Sequence, residues 1–304
     1  MSTVGELLRD AVARLTTSGS SSPRLDAELL LGDAVGVGRT AVIAHQDSPV
    51  GPDAAAAFQR ALERRVAGEP VAYIRGLREF HGLALHVDDR ALIPRPETEL
   101  LVDLAEREIA TRLTTSPRSP GMPPLRVADV GTGSGAIAVA LVSALRRRRM
   151  DREVVVVATD VSEAALDVAR VNAVSHGVAD RMQFLAADLL PAHLDQPYSV
   201  VCANLPYVTT GDLAALDGEL RFEPSLALDG GPDGLDVIRR LLALLPTSVR
   251  PDGVALLEIG ADQPDLTLQA VASILPGWRC EILPDLAGRA RVARIAPAAP
   301  AGRV

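Results

Sequence analysis

The sequence contains no lysine: all 31 of its basic residues are arginine. That absence excludes a lysine Schiff base and a lysine nucleophile. Cysteine is nearly as scarce. Cys202 and Cys280 stand apart from any Cys-x-x-Cys pair, which argues against a disulfide framework or a zinc site. His45, His81, His86, His176 and His193 have no metal-ligand spacing, so no metal is expected. Aromatic residues make up 3%, so a core must be built from Ala, Val, Leu and Ile. No apolar run is long enough to span a bilayer. Glu6, Arg9 and Asp10 interrupt the stretch from Met1 to Leu15, unlike a signal peptide. The expectation is a cytoplasmic protein with no membrane partner. A net charge of −8 lacks the basic excess of most nucleic-acid binders and suits a basic protein partner.

What is present is ample for two domains: 304 residues, 48% of them hydrophobic. Val4, Leu7, Leu8, Val12 and Leu15 recur at helical spacing. Pro23 opens a second helix that ends near Gly36, and Pro52 opens a third that stops at Gly68 and Pro70. These three predict a small bundle. Alternation around Gly82 predicts a hairpin. Pro94 and Pro96 lead into a helix from Glu97 to about Arg112, and Thr114 to Pro124 reads as an exposed loop. From Leu125 strands and helices alternate, which predicts a doubly wound sheet. The tail from Ala296 is expected to fray.

Two motifs carry chemistry. Asp129-Val130-Gly131-Thr132-Gly133-Ser134-Gly135 runs from a strand into a helix, whose first N–H groups point at the turn. The spacing also satisfies a dinucleotide pattern. Asp129, however, would repel a pyrophosphate, whereas it can hold an ammonium directly or through water. S-adenosylmethionine has that ammonium and no phosphate. Asp160 ends the next strand and can accept from a ribose diol; otherwise Ser162 or Asp160 caps the following helix. Asp188, followed by Leu189, ends the third strand and can accept from an adenine amino group, or can simply form a turn. Asn204-Leu205-Pro206-Tyr207 closes a fourth strand. The Asn204 side-chain oxygen and the Leu205 carbonyl can receive the two N–H bonds of a planar nitrogen and raise its electron density. Pro206 stiffens the turn, and Tyr207 offers a flat face. Asn204 also borders the cofactor set.

Beyond these motifs, the sequence resembles the HemK/PrmC family of release-factor glutamine N5-methyltransferases over nearly its whole length. The resemblance rests on Pro70 to Gly76, Phe80-His81-Gly82, Leu92 to Glu99, Asp129 to Ile137, Glu223-Pro224, Leu228 to Leu235 and Glu258-Ile259-Gly260. It implies an α/β fold: a C-terminal Rossmann-like class I methyltransferase domain with a seven-stranded mixed sheet, its last strand antiparallel, plus a helical bundle and a β-hairpin linker. The corresponding divisions are 1–70 for substrate recognition, 71–95 for the linker, 96–296 for catalysis and 297–304 for a flexible tail. The implied cofactor is S-adenosylmethionine, leaving as S-adenosylhomocysteine. The implied partner is a class I release factor, methylated on the glutamine of its Gly-Gly-Gln motif by a monomeric enzyme. Asn204, Leu205, Pro206 and Tyr207 would be both catalytic and substrate-binding. Arg95 and Glu97 are candidates for shaping the pocket. Leu205 replaces the family's usual proline, which keeps the carbonyl but is expected to loosen the turn. Asn-Leu-Pro-Tyr is also similar to rRNA adenine-N6 dimethyltransferases. Adenine methylation of nucleic acid, methylation of a ribosomal-protein glutamine and a non-catalytic cofactor-binding module therefore stay open as alternatives.

Overall fold

The computed structural model describes residues 1–115, 121–191, 196–213 and 218–298. It divides into two compact units.

The first unit holds Met1 to Leu77 and the single-turn segment Gly218–Phe222. Its helices are α1 (Val4–Thr17), α2 (Pro23–Val35), α3 (Arg39–Ala44), α4 (Pro52–Val66) and α5 (Val71–Arg75). The periodicity predicts α1, α2 and α4. The two others are too short to show a helical repeat. Thr3 and Glu6 form a reciprocal capping box at the start of α1. Proline opens α2 and α4, where its missing N–H costs nothing. Leu15, Leu30, Leu31, Phe58 and Leu62 meet in the unit's core. Beside it, buried Asp26 and Arg65 pair at 2.7 Å, and buried Glu28 is flanked by Arg24 and Arg39.

The second unit begins at Arg78, within β1 (Leu77–Phe80), which forms a hairpin with β2 (Leu83–His86), turning at His81-Gly82. A short turn of helix at Pro96–Thr98 then leads into α6 (Glu99–Thr115). The remaining strands are β3 (Leu125–Val130), β4 (Val154–Asp160), β5 (Met182–Ala186), β6 (Tyr198–Ala203), β7 (Val249–Glu258), β8 (Trp278–Pro284) and β9 (Ala290–Pro297). Between them lie α7 (Ala136–Arg147), α8 (Glu163–Ser175), α9 (Thr210–Leu213), α10 (Asp236–Ser248) and α11 (Pro264–Ile274). Among the described residues the sheet has seven strands in the order β5-β4-β3-β6-β7-β9-β8. Among these strands β9 alone runs opposite to the rest, so both of its pairings, with β7 and β8, are antiparallel.

The sheet is buried on both faces. Val127, Val156 and Val200 face a core shared with α6 and α7, while Ala128, Val157 and Val201 face one shared with α10 and α11. Such strands read as unbroken apolar runs, as in Val154-Val155-Val156-Val157. The first crossovers leave β3 toward β4 on one side, and the later chain builds outward from β6 on the other. A crevice is therefore left outside the carboxyl ends of β3, β4 and β6. All the candidate cofactor and acceptor motifs fall at those ends or at the end of β5.

Two expectations change. Residues 116–120 of the Thr114–Pro124 loop lie outside the described residues, and Thr114 and Thr115 close α6 instead. The chain does not fray from Ala296: Ala296 pairs with Arg279 and Pro297 with Trp278, because an edge ladder holds even an Ala- and Pro-rich stretch. Residues 299–304 lie outside the described residues.

Candidate active site

Gly131, Gly133 and Gly135 adopt φ of 68°, 55° and 80°. At Gly135 the demand is double. Its backbone is left-handed, and a Cβ would stand 3.0 Å from that of Ala169 on α8. Buried Thr132 ties the loop down: its N–H donates to the Thr159 carbonyl at 2.8 Å, and its hydroxyl donates to Asp129 Oδ2 at 2.6 Å. The Ala138 N–H, in the first turn of α7, donates to the same oxygen at 3.1 Å. Asp129 Oδ1 is buried and has no hydrogen-bond partner among the described residues. Burial pushes the Asp129 carboxyl up to about 6, against the pull of Thr132 and Ala138 and helped by the nearby charge of Asp160. The site thus holds a buried anion with one oxygen uncommitted.

Asp160 Oδ2 accepts the Gly133 N–H and Oδ1 accepts the Ser162 N–H, each at 2.9 Å. Ser162, in turn, caps α8 through the Ala165 N–H at 3.2 Å. The helix-cap role is therefore filled by Ser162, and Asp160 faces a cavity of about 460 Å³. Burial raises its carboxyl too. Asp188 and Leu189 line the same cavity, as does Arg240 of α10, which pairs with Asp188. Leu189 has φ of 68°, unusual for a branched side chain, and is held there by the Thr159 hydroxyl on its carbonyl at 2.6 Å. Gly131, Gly133, Asn204, Leu205 and Pro206 complete the predicted residues that meet in this cavity. Thr132 and Ser134 are buried behind the loop, where they support it rather than line the space.

The Asn204–Tyr207 segment is held from several sides. Asn204 Nδ2 donates to Thr98 Oγ1 at 3.0 Å, and among the described residues no donor occupies Asn204 Oδ1. Nor does the Leu205 carbonyl accept a backbone hydrogen bond among them. Two acceptors are therefore left open next to the cavity. The Leu205 side chain is buried in the core, at the distance where a Cβ on Gly131 would touch its Cδ2. The Leu205 side chain thus has packing partners in the core at the position where the family's usual residue is proline. Gln263 Nε2 donates to the Tyr207 carbonyl at 3.0 Å, and the Tyr207 hydroxyl donates to Glu258 Oε1 at 3.3 Å. Burial, with Glu258 next to it, pushes the Tyr207 hydroxyl up to about 12, so it stays protonated at neutral pH. Val208 exchanges backbone hydrogen bonds with Leu228 and Gly230. A Cβ on Gly234 would collide with the Tyr207 carbonyl. The run from Asp229 to Leu235 is thus the bed on which the acceptor loop lies.

Two family models match the chain: a PrmC N-terminal domain over residues 6–76 and a Methyltransferase domain over residues 127–221. The release factor glutamine methyltransferase of Deinococcus radiodurans is 41% identical over 289 residues, which span 95% of this chain and 96% of that protein. The one from Moorella thermoacetica is 41% identical over 291 residues, again 95% and 96% of the two chains. The chain belongs to the release factor glutamine methyltransferase family. Among solved structures the hMettl16 catalytic domain aligns with a TM-score of 0.55 at 15% identity, over 80% of this chain and 84% of that one, a likeness of fold alone.

In this member of the family Arg95 pairs with buried Glu223, whose other oxygen accepts the Ile93 N–H at 3.1 Å. The pair fastens the segment before α6 to Pro224 at the cavity wall, and Arg95 itself does not line the cavity. Glu97 is exposed and does not line it either. Asn172, in the last turn of α8, had no sequence signal. It accepts the His86 N–H at 2.7 Å and donates to the carbonyls of His86 and Ser134, joining the hairpin to the glycine loop. Arg240, Gln263 and Thr98 were equally silent as site residues. Their partners lie far off in sequence, and no local pattern encodes such pairings.

Proposed function

We propose that this protein transfers a methyl group from S-adenosylmethionine to the side-chain amide nitrogen of the glutamine in the Gly-Gly-Gln motif of peptide-chain release factors. The observation that carries this reading is the pair of open acceptors, Asn204 Oδ1 and the Leu205 carbonyl, on residues that line a cavity together with Gly131 and Gly133. The cofactor fits the chain's own residues. The uncommitted Asp129 Oδ1 suits an ammonium, and Asp160 at the cavity edge suits a ribose. When bound, S-adenosylmethionine supplies a methyl group on a sulfonium, a leaving group that needs no acid.

The protein's part is then positioning. An amide nitrogen is a weak nucleophile because its lone pair is delocalised into the carbonyl. Two acceptors on its N–H bonds return electron density to nitrogen and favour pyramidalisation as the new bond forms. Tyr207, whose hydroxyl keeps its proton at neutral pH and which does not line the cavity, does not serve as a base. Proton loss follows methylation, when nitrogen is far more acidic, and can pass to solvent.

Incubating the purified protein with labelled cofactor and a release factor is expected to label the Gly-Gly-Gln glutamine. Product that is nuclease-sensitive, or label on a ribosomal protein only, would replace this reading with an alternative acceptor.

A pH dependence follows from Asp129. Its carboxyl is raised in the free enzyme, and an ammonium favours the ionised form. Affinity is therefore full above about pH 6 and is lost as pH falls through that value. Calorimetric titration is expected to show the cofactor Kd rising about tenfold per pH unit below that point. A Kd flat from pH 8 to pH 5 would remove Asp129 from ammonium binding.

A further inference from the structure

We propose that Gln263 is a positioning residue of the reaction: its side chain fixes the acceptor loop, and with it the direction of the Leu205 carbonyl. The inference rests on the reading of that carbonyl as an acceptor for the substrate amide.

Gln263 stands at the start of α11 and is buried. Its amide has two backbone partners. Oε1 accepts the Gly260 N–H, just beyond β7, at 2.8 Å, and Nε2 donates to the Tyr207 carbonyl at 3.0 Å. A backbone N–H only donates and a backbone carbonyl only accepts, so these partners dictate which end of the amide lies where. The place requires one group that accepts at one end and donates at the other. A side chain of the same shape with two acceptors loses one bond, and one with none loses both.

Glycines clear the space at both ends. A Cβ on Gly260 would stand 2.9 Å from Gln263 Oε1. A Cβ on Gly234 would stand 2.5 Å from Nε2 and 2.3 Å from the Tyr207 carbonyl oxygen, so the hydrogen bond occupies the room a side chain would take. The end of β7, the start of α11 and the run Asp229 to Leu235 all converge on one carbonyl of the acceptor loop.

The consequence lies two residues upstream. The Leu205 side chain is buried in the core, and the Tyr207 carbonyl is held by Gln263. Between these two points the Pro206 ring locks a torsion. The Leu205 carbonyl lies between them, so releasing the Tyr207 end gives it freedom to turn away from the nitrogen. Catalysis by positioning is sensitive to such movement: a misplacement of about 1 Å costs up to about 10²-fold. Gln263 does not line the cavity, so its loss should leave cofactor binding intact.

Gln263→Leu removes both bonds. It is expected to lower kcat about tenfold, one hydrogen bond's worth of positioning, with the cofactor Kd within about threefold. Gln263→Glu is the sharper test. Its ionised carboxylate accepts from Gly260 but cannot donate to Tyr207, whereas the protonated form does both. Burial, and Asp262 Oδ1 close to the same glycine, raise such a carboxyl. At saturating cofactor its kcat relative to wild type is expected to approach unity at about pH 6 and to fall about tenfold by about pH 9, while the Gln263→Leu ratio stays low and flat. The bond itself is read without turnover. The chain has three tyrosines, so carbonyl-13C tyrosine labelling gives three signals, and Tyr207→Phe assigns one of them. In Gln263→Leu the Tyr207 signal is expected to move upfield while those of Tyr73 and Tyr198 hold, which reports an intact fold. If Gln263→Leu does not fold, the Gln263→Glu profile decides alone. A Gln263→Glu ratio that does not change with pH, a Tyr207 signal that does not move, or a cofactor Kd that rises as far as kcat falls overturns the proposal. Failure of the wild-type protein to label any release factor would overturn the functional reading instead, and the carbonyl signal would still decide whether Gln263 holds the loop.

Discussion

Asn204→Ala is expected to lower kcat about 10²- to 10³-fold, comparable to removing one preorganised polar group from other acyl and amide sites. The cofactor Kd should stay within about threefold, because the lost interaction develops in the transition state and not in the binary complex. The argument is geometric. Oδ1 is free, its partner Nδ2 is fixed by Thr98, and the adjacent Leu205 carbonyl is also free. Alanine deletes the first acceptor while the Leu205 side chain, buried in the core, keeps the loop in place. Some turnover should therefore survive through the remaining carbonyl. Single-turnover measurement with labelled cofactor, alongside calorimetry, separates the two effects. Equal losses in kcat and in cofactor affinity would count against an amide-positioning role.

The second large effect is expected on binding. Asp129→Asn should weaken cofactor binding about 10- to 100-fold at pH 8, the worth of a hydrogen bond to a charged group in a buried site. Stability should respond in the opposite sense. With its carboxyl raised to about 6, ionised Asp129 costs the free protein about 3 kcal/mol at any pH above that value, a cost that disappears as pH falls toward the unfolded-state value. Asparagine can still accept from Thr132 and Ala138, and it carries no charge to bury. The cofactor-free variant should consequently melt no lower than the wild type at pH 8. A residue kept at a cost to stability is one kept for its ligand. A large drop in melting temperature together with an unchanged Kd would make Asp129 a structural residue.

Much of this molecule can be read locally. Gly131 to Gly135 lies between an apolar β-branched run and an apolar helix, and strand ends at Asp160, Asp188 and Asn204 follow from the same alternation. Capping residues such as Thr3 and helix-opening prolines such as Pro23 act within a few residues of themselves, so their meaning survives without the fold. Short elements did not show. The helices α3 and α5 are shorter than two turns and have no period to detect.

Leu205 marks the boundary between the two kinds of information. In the sequence it is a departure from a proline and points to a looser turn. In the structure its side chain is buried in the core beside Gly131. Arg95 marks it again: the sequence places it beside the pocket, and its partner Glu223 shows that it braces a wall. The sequence by itself determined the order of strands and helices, the glycine loop, the strand-end carboxylates and the acceptor tetrapeptide, because each is written in contiguous residues. Only the tertiary structure decided that Asp129 keeps an oxygen free, that Asp160 leaves the helix cap to Ser162, and that Thr98 meets the Asn204 amide. Those facts depend on burial and on side chains that meet across strands, and neither is a property of any one segment.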